Sequence, residues 1–177
     1  MLDNSLAFKS AYELQRLVKD KAVSPVELTE LFLQRIERIN PKLNAYLTVA
    51  SDQAITSARA AESAVLRGET NLGPLHGVPI AIKDLVATKG IRTTRGSLLF
   101  KDFIPEEDEI VVQRILGAGA INLGKTNTPE FGLMGHTENL LKDHCRTPWD
   151  PNKTAGGSSG GAGSAVAAGF CSIAMGG

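Results

Sequence analysis

The glycines of this chain are distributed very unevenly. None precedes Gly68, whereas eight of the 18 lie between Gly156 and Gly177. Glycine weakens the interior of a helix but allows backbone conformations that other residues avoid. Residues 1–70 can therefore form a regular helical lead-in, whereas the last part of the chain needs unusual backbone geometry.

The composition is that of a globular protein, and 177 residues suffice for one domain. Nineteen basic and 19 acidic residues balance, which argues against a general nucleic-acid or anionic membrane surface. Residues 154–177 carry no charge, but they are mostly Gly, Ala and Ser, so we expect no membrane span. Two cysteines, Cys145 and Cys171, are too few for a disulfide framework, and residues 1–10 lack a signal-peptide pattern. These features predict a cytoplasmic protein.

Capping residues predict the first two helices. Ser10 and Glu13 have the spacing of a capping box, in which each side chain bonds the other residue's main chain. Ser24 is expected to cap a second helix that has Pro25 at its first position and Glu27 reaching back. One apolar stripe marks the buried face of this second helix: Leu28, Leu31, Phe32, Ile36 and Ile39.

Proline and glycine predict where the helices of the lead-in end. Pro41 is expected to end the second helix, and Gly68 the third, which covers about residues 51–67. The third helix carries four small or branched residues on one face: Ile55, Ala58, Ala61 and Val65. These three helices predict a scaffold that packs against the rest of the chain.

After Gly68 the pattern alternates between strands and helices. Strands are predicted over residues 78–83, 120–123 and 171–175, and a helix of small residues over 159–169. Another helix is expected to be capped by Asp108 and to end near Gly117 and Gly119, with four residues inward: Ile110, Val111, Ile115 and Leu116. This alternation predicts an α/β fold with a mixed, partly parallel sheet and a site at the carboxyl ends of its strands.

Two motifs suggest alternative functions. Gly119–Thr126 matches the Walker A pattern, but a predicted helix precedes it and Pro129 follows it, whereas a phosphate loop joins a strand to a helix. Gly157–Gly161 matches the nucleophile elbow of α/β-hydrolases, yet all three histidines precede Ser159, the reverse of the order in that fold. Nucleotide binding and Ser-His-Asp hydrolysis are therefore weak alternatives.

A metal site is a third weak alternative. His136, His144 and Cys145 are the only soft ligands close together in the sequence, and their spacing matches no recognised zinc pattern. Ordinary loop residues are the better interpretation, and we expect neither a metal nor a cofactor.

Two features are hard to explain as scaffold. Lys83 ends an apolar strand, where alternation places Ile80 and Ile82 on one face and Ala81 with Lys83 on the other. A partly desolvated lysine has a lowered pKa and can act as a general base. The second feature is the tract 156–164, whose glycines let main-chain amides approach an oxyanion and whose hydroxyls can relay protons.

At this point the sequence resembles the amidase signature family, in particular bacterial amidases and the A subunits of glutamyl-tRNA amidotransferases. Four blocks carry the resemblance in the family's order, and Thr137-Glu138-Asn139 adds to it. The blocks are 77–84, 124–131, 148–150 and 156–163. The resemblance extends from the N-terminal helices to the last residue, which would make residues 1–177 the N-terminal portion of one amidase domain of α/β/α layers. In this division 71–177 begins the α/β core.

The resemblance implies amide hydrolysis or transfer by a Ser-Ser-Lys triad. Lys83 matches the general base, and Ser158 matches the bridging serine, which is held on a cis peptide bond and passes the proton. Ser159, Gly156 and Gly157 match the supporting network. The implied partner is a small-molecule amide, with no nucleic acid or membrane bound by this segment, and the complete enzyme can be oligomeric.

One departure from the family pattern shapes the expected function. The family's nucleophilic serine lies in a second glycine-rich motif after a short strand; here the strand is present at 172–175 and would place that serine beyond Gly177. We therefore expect a fragment that is inactive alone. The alternative is a shortened, non-catalytic binding or regulatory protein that keeps part of the amidase fold. Neither the amide nor the choice between hydrolysis and transfer can be deduced from the sequence.

Overall fold

The computed structural model describes residues 4–177 and confirms the α/β class. Its helices are α1 (Ala11–Lys19), α2 (Pro25–Leu43), α3 (Ser51–Leu66), α4 (Ile110–Gly117) and α5 (Gly160–Ala167). Its strands are β1 (Tyr46–Val49), β2 (Pro79–Lys83), β3 (Ile121–Thr126), β4 (Arg146–Thr147), β5 (Asp150–Thr154) and β6 (Ile173–Met175). Short 3-10 turns cover Asn4–Phe8, Leu98–Phe100 and Glu130–Gly132.

The predicted starts of α1 and α2 are confirmed, but the predicted end of α2 is wrong. Both capping boxes form, and Pro25 begins α2. Pro41, however, lies inside the helix, which continues to Leu43 and ends on Asn44 in a left-handed conformation. The helix continues past Pro41 because later amides still bond, as the Asn44 amide does to the Asn40 carbonyl at 2.8 Å. The Asn40 side chain then holds the chain after the helix, since it bonds the main chain of Tyr46 in both directions, at 2.9 and 3.3 Å.

The main sheet is mixed and partly parallel, as predicted. Its strand order is β1-β3-β2-β6; β2 lies parallel to both β3 and β6, whereas β1 lies antiparallel to β3. The strand β1 was not predicted, so residues 1–70 are not only a helical lead-in: they also supply one edge of the sheet. A second, two-stranded sheet of β4 and β5 lies in the segment 132–157, which shows no clear periodicity in the sequence.

Both faces of the sheet are covered. Ala81 belongs to the larger apolar cluster, which includes residues of α2, α3 and α5, whereas Ile80 and Ile82 belong to a smaller cluster with Val112 of α4. The predicted alternation along β2 is therefore confirmed. Lys83 follows on the side of Ala81, which is also the side of α5. Within residues 4–177, no helix is both long and apolar enough to span a membrane.

The predicted start of α4 is wrong, and two of its four predicted inward residues are exposed. The Asp108 carboxylate accepts a hydrogen bond from the Lys89 main chain at 2.7 Å instead of capping the helix, and Glu109 occupies the N-cap position. Ile110 is 67% exposed and Val111 is exposed as well, whereas Val112 is the residue buried in the smaller cluster. Ile115 and Leu116 pack partly against the core, as predicted.

Candidate active site

A buried lysine lies at the centre of the candidate site. Lys83 is the last residue of β2 and is 1% exposed. Its Nζ donates hydrogen bonds to Ser158 Oγ at 2.8 Å, to Ser159 Oγ at 2.9 Å and to the Gly177 carbonyl at 3.2 Å. Burial lowers the pKa of the Lys83 amine, because the charged form is poorly solvated there. A larger fraction of this amine is therefore neutral at a given pH than of an exposed lysine.

The two serines reach Lys83 because the chain before α5 is sharply bent. Gly156 has a φ of 77°, and the peptide bond between Gly157 and Ser158 is cis, as the resemblance implies. Gly157 also packs directly on the main chain of His136, where a β-carbon would lie 2.7 Å from the carbonyl carbon. The glycines thus supply the unusual backbone that their clustering predicted.

Ser159 connects the lysine to the chain after β6. Its hydroxyl donates to the Gly177 carbonyl at 2.9 Å and accepts from the Gly177 amide at 3.1 Å. It also precedes α5 as the N-cap residue. The carboxyl ends of the parallel strands β2 and β6 and the start of α5 therefore meet at one point, which is the predicted edge of the sheet.

The side chain of Thr137 stabilises the turn that contains Ser158 and Ser159. Its Oγ1 accepts a hydrogen bond from the Gly160 amide at 3.0 Å and donates to the Ser158 carbonyl at 3.5 Å. Its own carbonyl accepts from the Cys145 amide at 2.8 Å. Thr137 therefore fixes the main chain on both sides of Ser159.

Two buried asparagines form a second support that sequence reasoning missed. The Asn139 side chain donates to Asn127 Oδ1 at 2.7 Å and to the Thr128 carbonyl at 2.8 Å. The Asn127 side chain donates in turn to the Asn44 carbonyl at 2.8 Å, and its own carbonyl accepts from the Gly161 amide at 3.2 Å. Asn127 lies inside the block 124–131 and Asn139 inside the additional match 137–139, so the resemblance was the available signal.

A second buried lysine lies outside this cluster. Lys125 of β3 is fully buried, and its Nζ donates to the Val86 carbonyl and to Thr93 Oγ1, the latter at 2.7 Å. Its nearest carboxylate is Asp84, with 3.9 Å between Nζ and Oδ1. Burial lowers the pKa of Lys125 to about 8, although Asp84 opposes this shift.

Asp84 closes a turn of the chain next to Lys83. The second oxygen of its carboxylate accepts from the main-chain amide of Thr94 at 2.9 Å and from the hydroxyl of the same residue. Burial raises the pKa of Asp84, and these hydrogen bonds partly offset the effect. Sequence reasoning gave neither Asp84 nor Lys125 a role in the fold.

The alternative motifs do not form sites. Strand β3 contains Gly124, Lys125 and Thr126. The buried Lys125 amine donates its hydrogen bonds within the fold, one of them to Thr93, so this geometry does not fit a phosphate loop. His136 and His144 both face Glu138, at 3.5 and 3.3 Å. In the described part of the chain no group of histidine, cysteine or carboxylate side chains is arranged to hold a metal ion.

Both cysteine thiols are free and buried. Burial raises the pKa of each thiol, Cys145 and Cys171, to about 12. A thiol with so high a pKa holds little thiolate at neutral pH, so neither is a candidate nucleophile.

The close packing around α5 leads to a testable contrast between two of its glycines. A β-carbon on Gly161 would lie 2.7 Å from the Ala45 carbonyl oxygen and closer still to the main chain of Asn127, whereas one on Gly163 would meet nothing within 4 Å. We expect Gly161→Ala to lower the free energy of unfolding by about 1–3 kcal/mol. Gly163→Ala should raise it by about 0.5–1 kcal/mol. Urea denaturation of both variants measures the contrast, and equal effects would contradict this packing.

Chemically, the site pairs a buried amine with two hydroxyls. A neutral Lys83 can accept a proton from Ser158, and the resulting ammonium ion can return it through the same contact of 2.8 Å. The third partner, the carbonyl of Gly177, can only accept hydrogen bonds. The arrangement therefore suits proton transfer by a lysine through a serine.

Known proteins are similar to this chain in both sequence and fold. The Amidase family model matches residues 27–177. The A subunit of glutamyl-tRNA(Gln) amidotransferase from Moorella thermoacetica is 46% identical over 171 residues, which cover 97% of this chain and 35% of that protein. A bacterial aryl acylamidase of the amidase signature family superposes with a TM-score of 0.89 at 37% identity, covering 95% of this chain and 35% of its own.

A third comparison extends the likeness to another hydrolase. The structure of 6-aminohexanoate cyclic dimer hydrolase superposes with a TM-score of 0.87 at 32% identity, covering 98% of this chain and 34% of the hydrolase. The chain thus spans about a third of the length of the relatives it matches. With a family match over most of its residues, the chain belongs to the amidase family.

Proposed function

We propose that this chain carries the base and the proton relay of an amidase active site. In this role Lys83 is the general base, Ser158 is the relay, and Ser159 with Gly156 and Gly157 supports them. The observation that carries the proposal is the buried Lys83 amine, 2.8 Å from Ser158 Oγ and 2.9 Å from Ser159 Oγ. Belonging to the amidase family supports the same roles.

The proposed substrate is a carboxylic amide. An amine is a poor leaving group until it is protonated, so amide cleavage needs a group that first takes a proton and then returns it. Lys83 and Ser158 together provide this path: the lysine takes the proton of the attacking hydroxyl through Ser158, and the protonated pair later donates to the departing amine. No metal or cofactor is needed for these steps.

A relay role for Ser158 leaves the attack on the amide to another serine. We propose that this serine follows β6 in a second glycine-rich motif beyond Gly177, as the resemblance implies. Residues 1–177 would then be the first part of one amidase domain in a cytoplasmic enzyme, and they would hydrolyse no amide by themselves. A first part of a longer domain agrees with the coverage of the relatives, because the chain spans about a third of their length.

A chimera tests this proposed function. Residues 1–177 would replace the matching region of the Moorella thermoacetica subunit, which is 46% identical here and would supply the remaining two thirds. We expect the chimera to release ammonia from at least one member of a panel of primary carboxamides that includes glutamine. The 177-residue chain alone should release none.

The parental subunit, assayed in parallel on the same panel, is the positive control. A chimera that unfolds cooperatively yet hydrolyses no amide that the parent hydrolyses would contradict the proposal. That result would favour the alternative function, a binding or regulatory protein that keeps part of the fold.

A further inference from the structure

We propose that Ser158 is itself a nucleophile toward aryl esters, with Lys83 as its base, so that the 177-residue chain has an esterase activity of its own. This activity differs from the relay role proposed above, because it needs no other serine. It rests only on the geometry of two side chains and their surroundings.

Ser158 is placed as the nucleophile of a serine–lysine pair would be. Its Oγ lies 2.8 Å from Lys83 Nζ, and the residue is half-buried, whereas the lysine is 1% exposed. A reagent can therefore reach the hydroxyl while the base behind it stays desolvated. Gly132 lies beside the hydroxyl, since a β-carbon added there would come within 3.9 Å of Oγ.

Ser159 is less suited to attack than Ser158. Its hydroxyl is already held by both the amide and the carbonyl of Gly177, at 3.1 and 2.9 Å, in addition to Lys83. An attacking oxygen must give up such contacts to approach a carbonyl carbon. Ser158 Oγ has Lys83 as its hydrogen-bond partner, and that contact is the one that removes its proton.

The reaction balances with the groups in the site. Ser158 Oγ bonds to the ester carbonyl carbon as Lys83 Nζ takes the hydroxyl proton, and the bond between the carbonyl carbon and the phenolic oxygen breaks to release a phenolate. Water then attacks the acyl-serine, the carboxylic acid leaves, and Ser158 recovers its hydroxyl with a proton from the water. The proton held by Lys83 Nζ passes to the phenolate, which restores the neutral amine.

The leaving group explains why esters and not amides are expected. A phenolate departs without being protonated, whereas the nitrogen of an amide must receive a proton before it leaves. When Ser158 is the attacking group, it no longer serves as the relay that would deliver that proton. The pair should therefore cleave activated aryl esters and leave carboxamides intact.

The test uses the 177-residue chain and p-nitrophenyl acetate. We expect release of p-nitrophenolate and, in a quenched sample, one acetyl group on the peptide that contains Ser158, located by tandem mass spectrometry. Lys83→Met should slow the acetylation of Ser158 by about 100-fold or more, since general bases contribute factors of this size. Ser158→Ala should remove the label from that peptide.

Two exposed residues provide matched controls. Ser57→Ala and Lys101→Met remove the same kinds of group at exposed positions and should not change the rate.

Acetyl groups on Lys83, on Ser159 or only on exposed lysines would overturn the proposal, as would unchanged labelling of Ser158 in Lys83→Met. The mapping needs no variant, so it remains decisive even if a substitution unfolds the chain. An inactive chimera with a labelled Ser158 would contradict only the amidase proposal.

Discussion

Lys83→Ala in the chimera is expected to lower kcat/KM for amide hydrolysis by about 10²–10⁴-fold, the range that a general base contributes. Among residues 4–177, Lys83 is the buried amine that hydrogen-bonds Ser158, and alanine can neither take nor return a proton. Ser158→Ala should cause a loss of similar size, because it interrupts the same path. Ammonia release at several amide concentrations measures both effects.

The dependence of the rate on pH tests whether Lys83 is the base. Only the neutral amine accepts a proton, and burial lowers its pKa below the usual value of 10.5. The rate of the chimera should therefore rise with pH and level off at a pH below 10.5. The rise with pH should be absent from Lys83→Ala. Lys83→Arg keeps a positive charge but does not lose its proton, so it should be as inactive as alanine.

An exposed lysine is the control for this substitution. Lys101→Ala removes the same side chain at an exposed position and should leave kcat/KM unchanged. Circular dichroism and thermal unfolding should show that Lys83→Ala remains folded. Turnover near that of the unsubstituted chimera in both Lys83→Ala and Ser158→Ala would contradict the assigned roles.

Features that depend on near neighbours in the sequence were predicted well. The capping boxes at Ser10 and Ser24 each need only four residues, and the division of the β2 side chains between the two faces of the sheet follows from strict alternation. The meeting of Lys83 with the serine tract spans 75 residues and came from the resemblance, not from any local pattern.

Features that depend on distant partners were missed. Strand β1 is four residues long and has no alternation of its own; it is defined by its antiparallel pairing with β3, in which Tyr46 lies opposite Thr126. Asp108 was misjudged for the same reason, since its carboxylate binds the Lys89 amide, 19 residues away. Pro41 was misjudged for a local reason: a proline in the last turn removes one hydrogen bond, and the Asn44 amide still bonds the Asn40 carbonyl. A single sequence does not show which distant main-chain group a polar side chain will bind.

The second large effect expected concerns stability. Lys125→Met should lower the free energy of unfolding by about 3–5 kcal/mol, because it leaves the buried Asp84 carboxylate without its cation. It also leaves the Val86 carbonyl and the Thr93 hydroxyl without the donor that joins them. Urea denaturation of the 177-residue chain measures the loss. The exposed control Lys101→Met, which removes an ion pair of 3.9 Å with Asp102, should cost about 0–1 kcal/mol.

A double variant separates loss of charge balance from loss of packing. Asp84→Asn removes the charge that Lys125→Met leaves unpaired. The double variant should therefore lose less free energy of unfolding than the two single variants lose in total. Additive losses would mean that Lys125 stabilises the fold only by filling space and donating hydrogen bonds.

The pH dependence of stability provides an independent measure of the same pair. Burial lowers the pKa of Lys125 to about 8 in the folded chain, whereas an unfolded lysine has a pKa of about 10.4. Between these values the unfolded state binds more protons, so the Lys125 contribution to the free energy of unfolding increases with pH, by at most about 1.4 kcal/mol per unit. Lys125→Met should lack this increase and Lys101→Met should keep it. If the slopes above pH 8 were the same in Lys125→Met and the unsubstituted chain, the buried amine would not be the group that titrates.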